Sequence, residues 1–254
     1  MFLAFLLETS AMPEGPSIGI LKEETLHFKG KKVLEVRGNA KIDLQRMQGK
    51  KLEDIKTWGK HFLLCFDGFY LRIHLLLFGT YRIDEAKETP PRLHLRFSNG
   101  ELNFYACSVR LVEGRPEDTY DWKVDTLSDA WDPAKALRAV KKNAEEMVCD
   151  ILLDQDIFAG SGNIVKNEVL FRIKVHPETL VGALPLKKKK ELVAETRIYV
   201  GDFYRWKKNY ELKKHWQAHR KTHCPDCRSK LKLKVTGKRK RRSFFCGHCQ
   251  ILYA

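Results

Sequence analysis

The chain is 254 residues long and 43% hydrophobic, with 47 Lys and Arg against 32 Asp and Glu and a formal charge of +15. This composition supports folded cores and excludes a disordered chain, and no stretch reaches the roughly 20 apolar residues that span a bilayer. The excess charge is local, since residues 187–242 hold 21 basic against 5 acidic side chains, and that asymmetry selects a polyanionic partner, either nucleic acid or an anionic membrane surface.

Residues 1–11, "MFLAFLLETSA", are apolar but lack a basic start, and the run is short for a secretory signal. "MPEGP" follows at 12–16. Its first proline is either an ordinary helix opener or the first residue of the working protein. Ile18, Leu21 and Leu26 have helical spacing, and Gly30 can end that helix. From 31 to 112 the chain runs as short β-like segments parted by turns such as "DG" and "NG", which predicts an antiparallel β domain behind a leading helix. Residues 113–133 are polar and turn-rich and read as a linker. Helical spacing returns over 134–155, is interrupted by "AGSGN" at 159–163 and resumes over 164–173. A third helix is predicted over about 186–200.

Seven cysteines are too unevenly placed for a disulfide scaffold, so a cytoplasmic protein is expected. Cys65, Cys107 and Cys149 stand singly and read as reduced core residues. Cys224, Cys227, Cys246 and Cys249 form C-x2-C-x18-C-x2-C, in which each pair can bite one ion from a tight turn. Four thiolates make a closed tetrahedral site for one structural Zn2+, which stabilises a small module with little core. His223 and His248 flank a ligand set that is already complete. Between the pairs a β hairpin is expected, and its tip carries Lys238, Arg239, Lys240, Arg241 and Arg242, five consecutive cations suited to phosphates. Two lookalikes fail. His176-Pro-Glu178 with a later C-x-x-C resembles a zinc deaminase signature but leaves one cysteine pair unused, and "GSGNIV" lacks the third glycine and the preceding strand of a dinucleotide loop.

Four separated motifs, "MPEGP", "GKHFLL" at 59–64, "LLDQDIFAGSGNIVKNEVLF" at 152–171 and "RRSFFCGHCQ" at 241–250, resemble the formamidopyrimidine-DNA glycosylase/endonuclease VIII family of DNA repair enzymes. The resemblance covers residues 12–254. It implies an α+β multidomain fold: an N-terminal helix with an antiparallel β-sandwich at 12–115, a helix–two-turns–helix domain at 116–219 and a four-cysteine zinc finger at 220–254. Residues 1–11 are then an extension that is not part of the mature fold, with Met12 the true initiator.

The implied activity is a bifunctional DNA glycosylase and AP lyase. An N-terminal Pro13 amine attacks the sugar C1′ of a damaged nucleotide, expels the base and leaves an iminium that drives β- and δ-elimination. Glu14 matches the general acid, a role for which a raised pKa is expected, and it also complements a helix dipole. Lys60 and Arg241 match phosphate-gripping residues of the catalytic site. Asn163 matches a phosphate ligand that also caps the following helix, and Glu168 a glutamate of the active-site region. His74 reads equally as a phosphate contact or a structural histidine. Leu76, Leu77 and Phe78 read equally as wedges that fill the void left by a flipped base, or as core. The segment around Arg110, a further DNA contact, lacks the paired Arg and Phe of the formamidopyrimidine branch. "HLLLFG" resembles the endonuclease VIII branch, which favours oxidised pyrimidines. The expected partner is double-stranded DNA with damaged bases or abasic sites, bound by a monomer and without a membrane. The alternative is a non-catalytic lesion- or nucleic-acid-binding protein of the same fold.

Overall fold

Alternating apolar residues and glycine turns build two four-stranded antiparallel sheets in the first half of the chain. The computed structural model describes residues 13–254, so the expected 1–11 extension and Met12 lie outside the described residues. One sheet has the order β1 (Glu35–Arg37), β6 (Leu93–Phe97), β7 (Gly100–Tyr105), β5 (Thr80–Ile83). The other has β2 (Asp54–Trp58), β3 (His61–Phe66), β4 (Phe69–His74), β8 (Ser108–Glu113). The sheets share a core, with Phe62 of β3 and Phe104 of β7 at 5.8 Å between ring centroids. The β3–β4 turn is Asp67-Gly68, with Gly68 at φ +82°, the conformation that a "DG" signal requires.

Two compact units result. The first is Leu21–Tyr120 with Pro13, and the second is Glu14–Ile20 with Asp121–Ala254. Residues 14–20, expected with the β-rich segment, therefore belong with the helices, and the first helix α1 (Gly15–Thr25) runs through both. Leu26 falls just beyond that helix and is exposed, whereas Phe28 is fully buried.

In the second unit the expected helix over 134–155 is two helices, α2 (Pro133–Lys142) and α3 (Val148–Ile151). Residues 144–147 are strong helix formers, but the backbone here pairs with 179–182 instead: Gly182 N–H donates to Ala144 O at 2.7 Å and, at the start of α3, Val148 N–H to Thr179 O at 2.9 Å. Tertiary pairing overrides propensity there. The linker reading of 113–133 also changes. Tyr120, Val124, Asp125 and Thr126 are buried, and the Thr126 hydroxyl donates to Ala159 O at 2.7 Å. Its polar residues are caps, such as Asp132 accepting from Lys135 N–H at 2.9 Å. The third helix, α5, extends to Leu186–Lys208. Its extra turns bury Phe203 and put Trp206 beside Arg172.

The centre of this unit is α4 (Asn163–Arg172), nine of whose ten residues are buried. A helix wrapped on every side must find internal partners for each polar side chain. Asn163, Lys166, Asn167 and Glu168 therefore become structural anchors. A two-stranded hairpin, β9 (Lys232–Thr236) and β10 (Arg241–Phe245), completes the unit.

Candidate active site

Glu14 is 1% exposed, and its carboxylate stands at the N-terminus of α4. Oε1 accepts from Ile164 N–H at 2.7 Å, and Oε2 accepts from Gly162 N–H at 3.1 Å and Val165 N–H at 3.2 Å. The capping function expected of Asn163 thus falls to a residue about 150 positions away. Glu14 complements the dipole of α4 rather than that of its own helix. Burial disfavours the ionised form of this carboxyl, while three backbone donors and a helix N-terminus favour it. Gly162 makes the approach possible, because a Cβ there would lie 2.4–2.6 Å from the Glu14 carboxyl and Cγ. Gly15 N–H donating to Gly160 O at 2.8 Å closes the arrangement. Pro13, half-buried, precedes Glu14 by one peptide bond.

Asn163 is buried in the first turn of α4, and its amide oxygen has no hydrogen-bond partner. Glu168 is fully buried on the same helix. It accepts from Gln217, Ala218 and His219 N–H at 2.7–3.0 Å. Burial pushes its carboxyl up while those donors pull it down. That engagement makes Glu168 a clamp for the 217–219 segment.

In the first unit Lys60 sits in a two-residue hairpin turn, Gly59-Lys60, between the paired residues Trp58 and His61. Gly59 at φ +54° allows that turn. His61 and His74 are cross-strand partners. Burial, then His74, Arg72 and Arg110, push His61 down to about 4, and burial, Lys60 and Arg72 lower His74. Both are neutral near pH 7, so His74 offers an N–H rather than a charge to a phosphate. Its Nδ1 accepts from Leu76 N–H at 3.0 Å, so it is structural as well. Arg110 is exposed on β8 and in register with Arg72 of β4. Arg72 escapes the sequence reading, although strand alternation puts it on the same face as His74.

Leu76 and Leu77 are about half exposed and Phe78 is 83% exposed, while Leu75 before them is buried. The core reading of the triplet is excluded. Leu76 has φ +55°, a costly conformation for a bulky residue, and Gly79 is needed because a Cβ there would meet the Leu75 carbonyl at 2.1 Å.

The four cysteines Cys224, Cys227, Cys246 and Cys249 have sulfurs within 4.8 Å of one another. Cys227–Cys246 are 3.5 Å apart and Cys224–Cys249 3.8 Å. A tetrahedron with Zn–S near 2.3 Å has edges of about 3.8 Å, so the residues fit zinc. The exposed His223 and His248 are not part of this cluster.

The finger's tip differs from a free cationic run. Asp150 on α3 accepts from Lys238 and Arg239 N–H at 2.9 and 3.0 Å. Lys238 pairs with Glu146, and Arg239 with Asp154 at 3.2 Å. Lys240 and Arg242 are exposed and Arg241 half-buried.

The first unit thus carries an exposed apolar loop and a basic sheet turn, and the second a carboxylate on a helix N-terminus and a basic four-cysteine cluster. Residues 12–111 match the formamidopyrimidine-DNA glycosylase N-terminal domain, and 123–199 match the formamidopyrimidine-DNA glycosylase H2TH domain. The chain belongs to the formamidopyrimidine-DNA glycosylase/endonuclease VIII family of DNA repair glycosylases. It is 32% identical to endonuclease 8-like 3 of Mus musculus over 82% of this chain and 36% of the relative. It is 24% identical to formamidopyrimidine-DNA glycosylase of Lactobacillus helveticus over 95% of this chain and the relative's whole length. The formamidopyrimidine-DNA glycosylase of Lactococcus lactis, solved with DNA containing an AP site, superimposes with a TM-score of 0.82 at 21% identity, covering 93% of this chain and 99% of that one. The chain spans 36–39% of the length of the first two endonuclease 8-like 3 relatives. Among the described residues no helix is long and apolar enough to cross a membrane.

Proposed function

We propose that this chain is a base-excision DNA glycosylase with AP lyase activity, acting as a monomer on double-stranded DNA through an N-terminal Pro13. The observation that carries the reading is the Glu14 carboxyl group, pinned on α4 one peptide bond from Pro13. A secondary amine at a chain terminus is largely protonated near neutral pH and must lose that proton to attack. Glu14 accepts it. The Pro13 lone pair then forms the N–C1′ bond, the C1′–base bond breaks with its electron pair leaving on the base, and the proton still on the Pro13 nitrogen passes to the departing base. The freed nitrogen pair forms the iminium as the C1′–ring oxygen bond breaks, and Glu14 gives its proton to that oxygen. The iminium withdraws electrons so that C2′ loses a proton and the 3′-phosphate departs, and then the 5′-phosphate.

Lys60, His74, Asn163 and Arg241 serve as phosphate contacts, and Arg110 and Arg72 extend the basic sheet surface. Leu76, Leu77 and Phe78 fill the space left by the flipped base. Exposure of three large apolar side chains on a loop braced by His74 supports that role. Zinc, when bound by the four cysteines, is structural and fixes the finger. Higher identity to endonuclease 8-like relatives supports oxidised pyrimidines ahead of purines. The test is excision by protein starting at Pro13, on duplexes with one oxidised pyrimidine, one oxidised purine or one abasic site. Base release with strand nicking, fastest for the pyrimidine, is expected. Binding without release or nicking on all three establishes the non-catalytic alternative.

The paired finger tip has its own consequence for DNA binding. Glu146 competes with phosphate for Lys238, so Glu146→Gln releases one cation to the duplex. Affinity should rise about 3-fold at low salt, and the log–log salt slope should steepen by up to about 0.9. Fluorescence anisotropy over a salt series reads both, and an unchanged slope means that Lys238 stays clear of the DNA.

A further inference from the structure

Lys166 is fully buried on α4, one turn after Asn163, and the reaction above does not use it. Its Nζ donates to the Arg242 carbonyl at 3.0 Å and meets the Ser243 hydroxyl at 2.8 Å. Ser243 is in turn 2.6 Å from the Thr236 hydroxyl across the hairpin. The next residue, Asn167, accepts from Phe244 N–H at 3.3 Å and contacts His219 at 3.0 Å. Two successive polar side chains of α4 thus grip the strand that carries Arg241, while Asp150 grips the hairpin tip.

A buried ammonium is a poor way to gain stability. Burial pushes Lys166 down to about 8; Cys149, Asp150 and Glu14 act to raise it, and Arg241 to lower it. His219 is also within electrostatic reach. An unfolded lysine holds its proton to about pH 10.4, so between about 8 and 10.4 the unfolded chain binds more protons. This group's contribution to stability therefore rises with pH across that window, and its burial cost is fully present below it. A side chain that costs stability near neutrality calls for another use.

We propose that Lys166 is a positioning residue, fastening β10 to α4 so that Arg241 is held at a fixed place relative to Glu14 and Asn163. The inference rests on the glycosylase reading for its activity readout alone. Its geometry predicts a clasp with or without chemistry.

The experiment compares wild type, Lys166→Met and Ser243→Ala, each starting at Pro13, zinc-loaded and tested on a duplex containing an abasic site. Lys166→Met should keep one zinc per chain and a thermal midpoint no more than about 2 °C lower at pH 7, or higher. Its kcat/KM for nicking should fall about 10-fold at pH 7. The wild-type advantage should shrink several-fold by pH 9.5, where Lys166 is neutral too. Hydrogen exchange at residues 242–244 should accelerate in both variants, less so in Ser243→Ala. Wild-type nicking by Lys166→Met at pH 7, or a ratio constant with pH, overturns the positioning role. If Lys166→Met does not fold, unchanged exchange in Ser243→Ala overturns it. If wild type forms no borohydride adduct, the glycosylase reading fails instead, and exchange at 242–244 alone decides the clasp.

Discussion

Protein that begins at Pro13 is expected to form a borohydride-stable adduct with abasic DNA, and protein that keeps Met12 to form none. In a chain that continues upstream, the Pro13 nitrogen is an amide, with its lone pair delocalised into the carbonyl. It has neither the basicity nor the free valence to become an iminium. The fold should be indifferent to the change, because residues 14–20 are held by Glu14 at α4 and by Gly15 at Gly160, all downstream of the bond in question. Thermal midpoint and DNA affinity should therefore stay near those of the shorter protein. The rate of adduct formation should fall by 10^4-fold or more, the scale at which removing a nucleophile acts. Two preparations suffice, one starting at Pro13 and one with Met12 retained, checked by intact mass. Equal adduct yields would remove Pro13 from the chemistry and move the search to another amine.

Local chemistry made much of the fold legible in the sequence. The turn at Asp67-Gly68 follows from its dipeptide, with φ of +82° at the glycine, whereas the "NG" signal is off by one, because the turn residues are Ser98 and Asn99 and Gly100 already pairs with Phe97. The four cysteines follow from their spacing, because a single ion demands convergence. The break at 143–147 does not follow, since its residues favour helix and only the partner segment 179–182 decides otherwise. Lys166 resists for a similar reason. A lysine three places after a helix start reads as a solvated residue, and only the burial of α4 on all sides converts it to an internal donor. Asp150 is equally mute, because its partners Lys238 and Arg239 lie almost ninety residues away. The cationic tip reads as five free charges for that reason, as composition counts charges and not their partners. Family motifs mark Glu14, but no local pattern shows that it stands on α4.

Gly162→Ala carries the second large effect, and backbone strain plays no part in it. Gly162 has φ −137° and ψ −158°, an extended conformation open to any residue. The obstacle is the Glu14 carboxyl, 2.4–2.6 Å from where the new methyl would be. α4 cannot retreat, because it is buried along its length, so the carboxylate must leave its three N–H donors. A displaced buried charge and an uncapped helix cost about 2–4 kcal/mol, or roughly 6–12 °C in the midpoint of this unit. Activity should fall at least about 100-fold, since Glu14 no longer receives the Pro13 proton. Glu14→Gln separates the two losses. It keeps the side-chain volume and one acceptor oxygen, so most of the stability remains, while the proton acceptor is gone. Activity near background in both variants, with the large midpoint drop only in Gly162→Ala, is the expected result. Wild-type nicking by Gly162→Ala would show that the Glu14 carboxylate does not need its place on α4 to work.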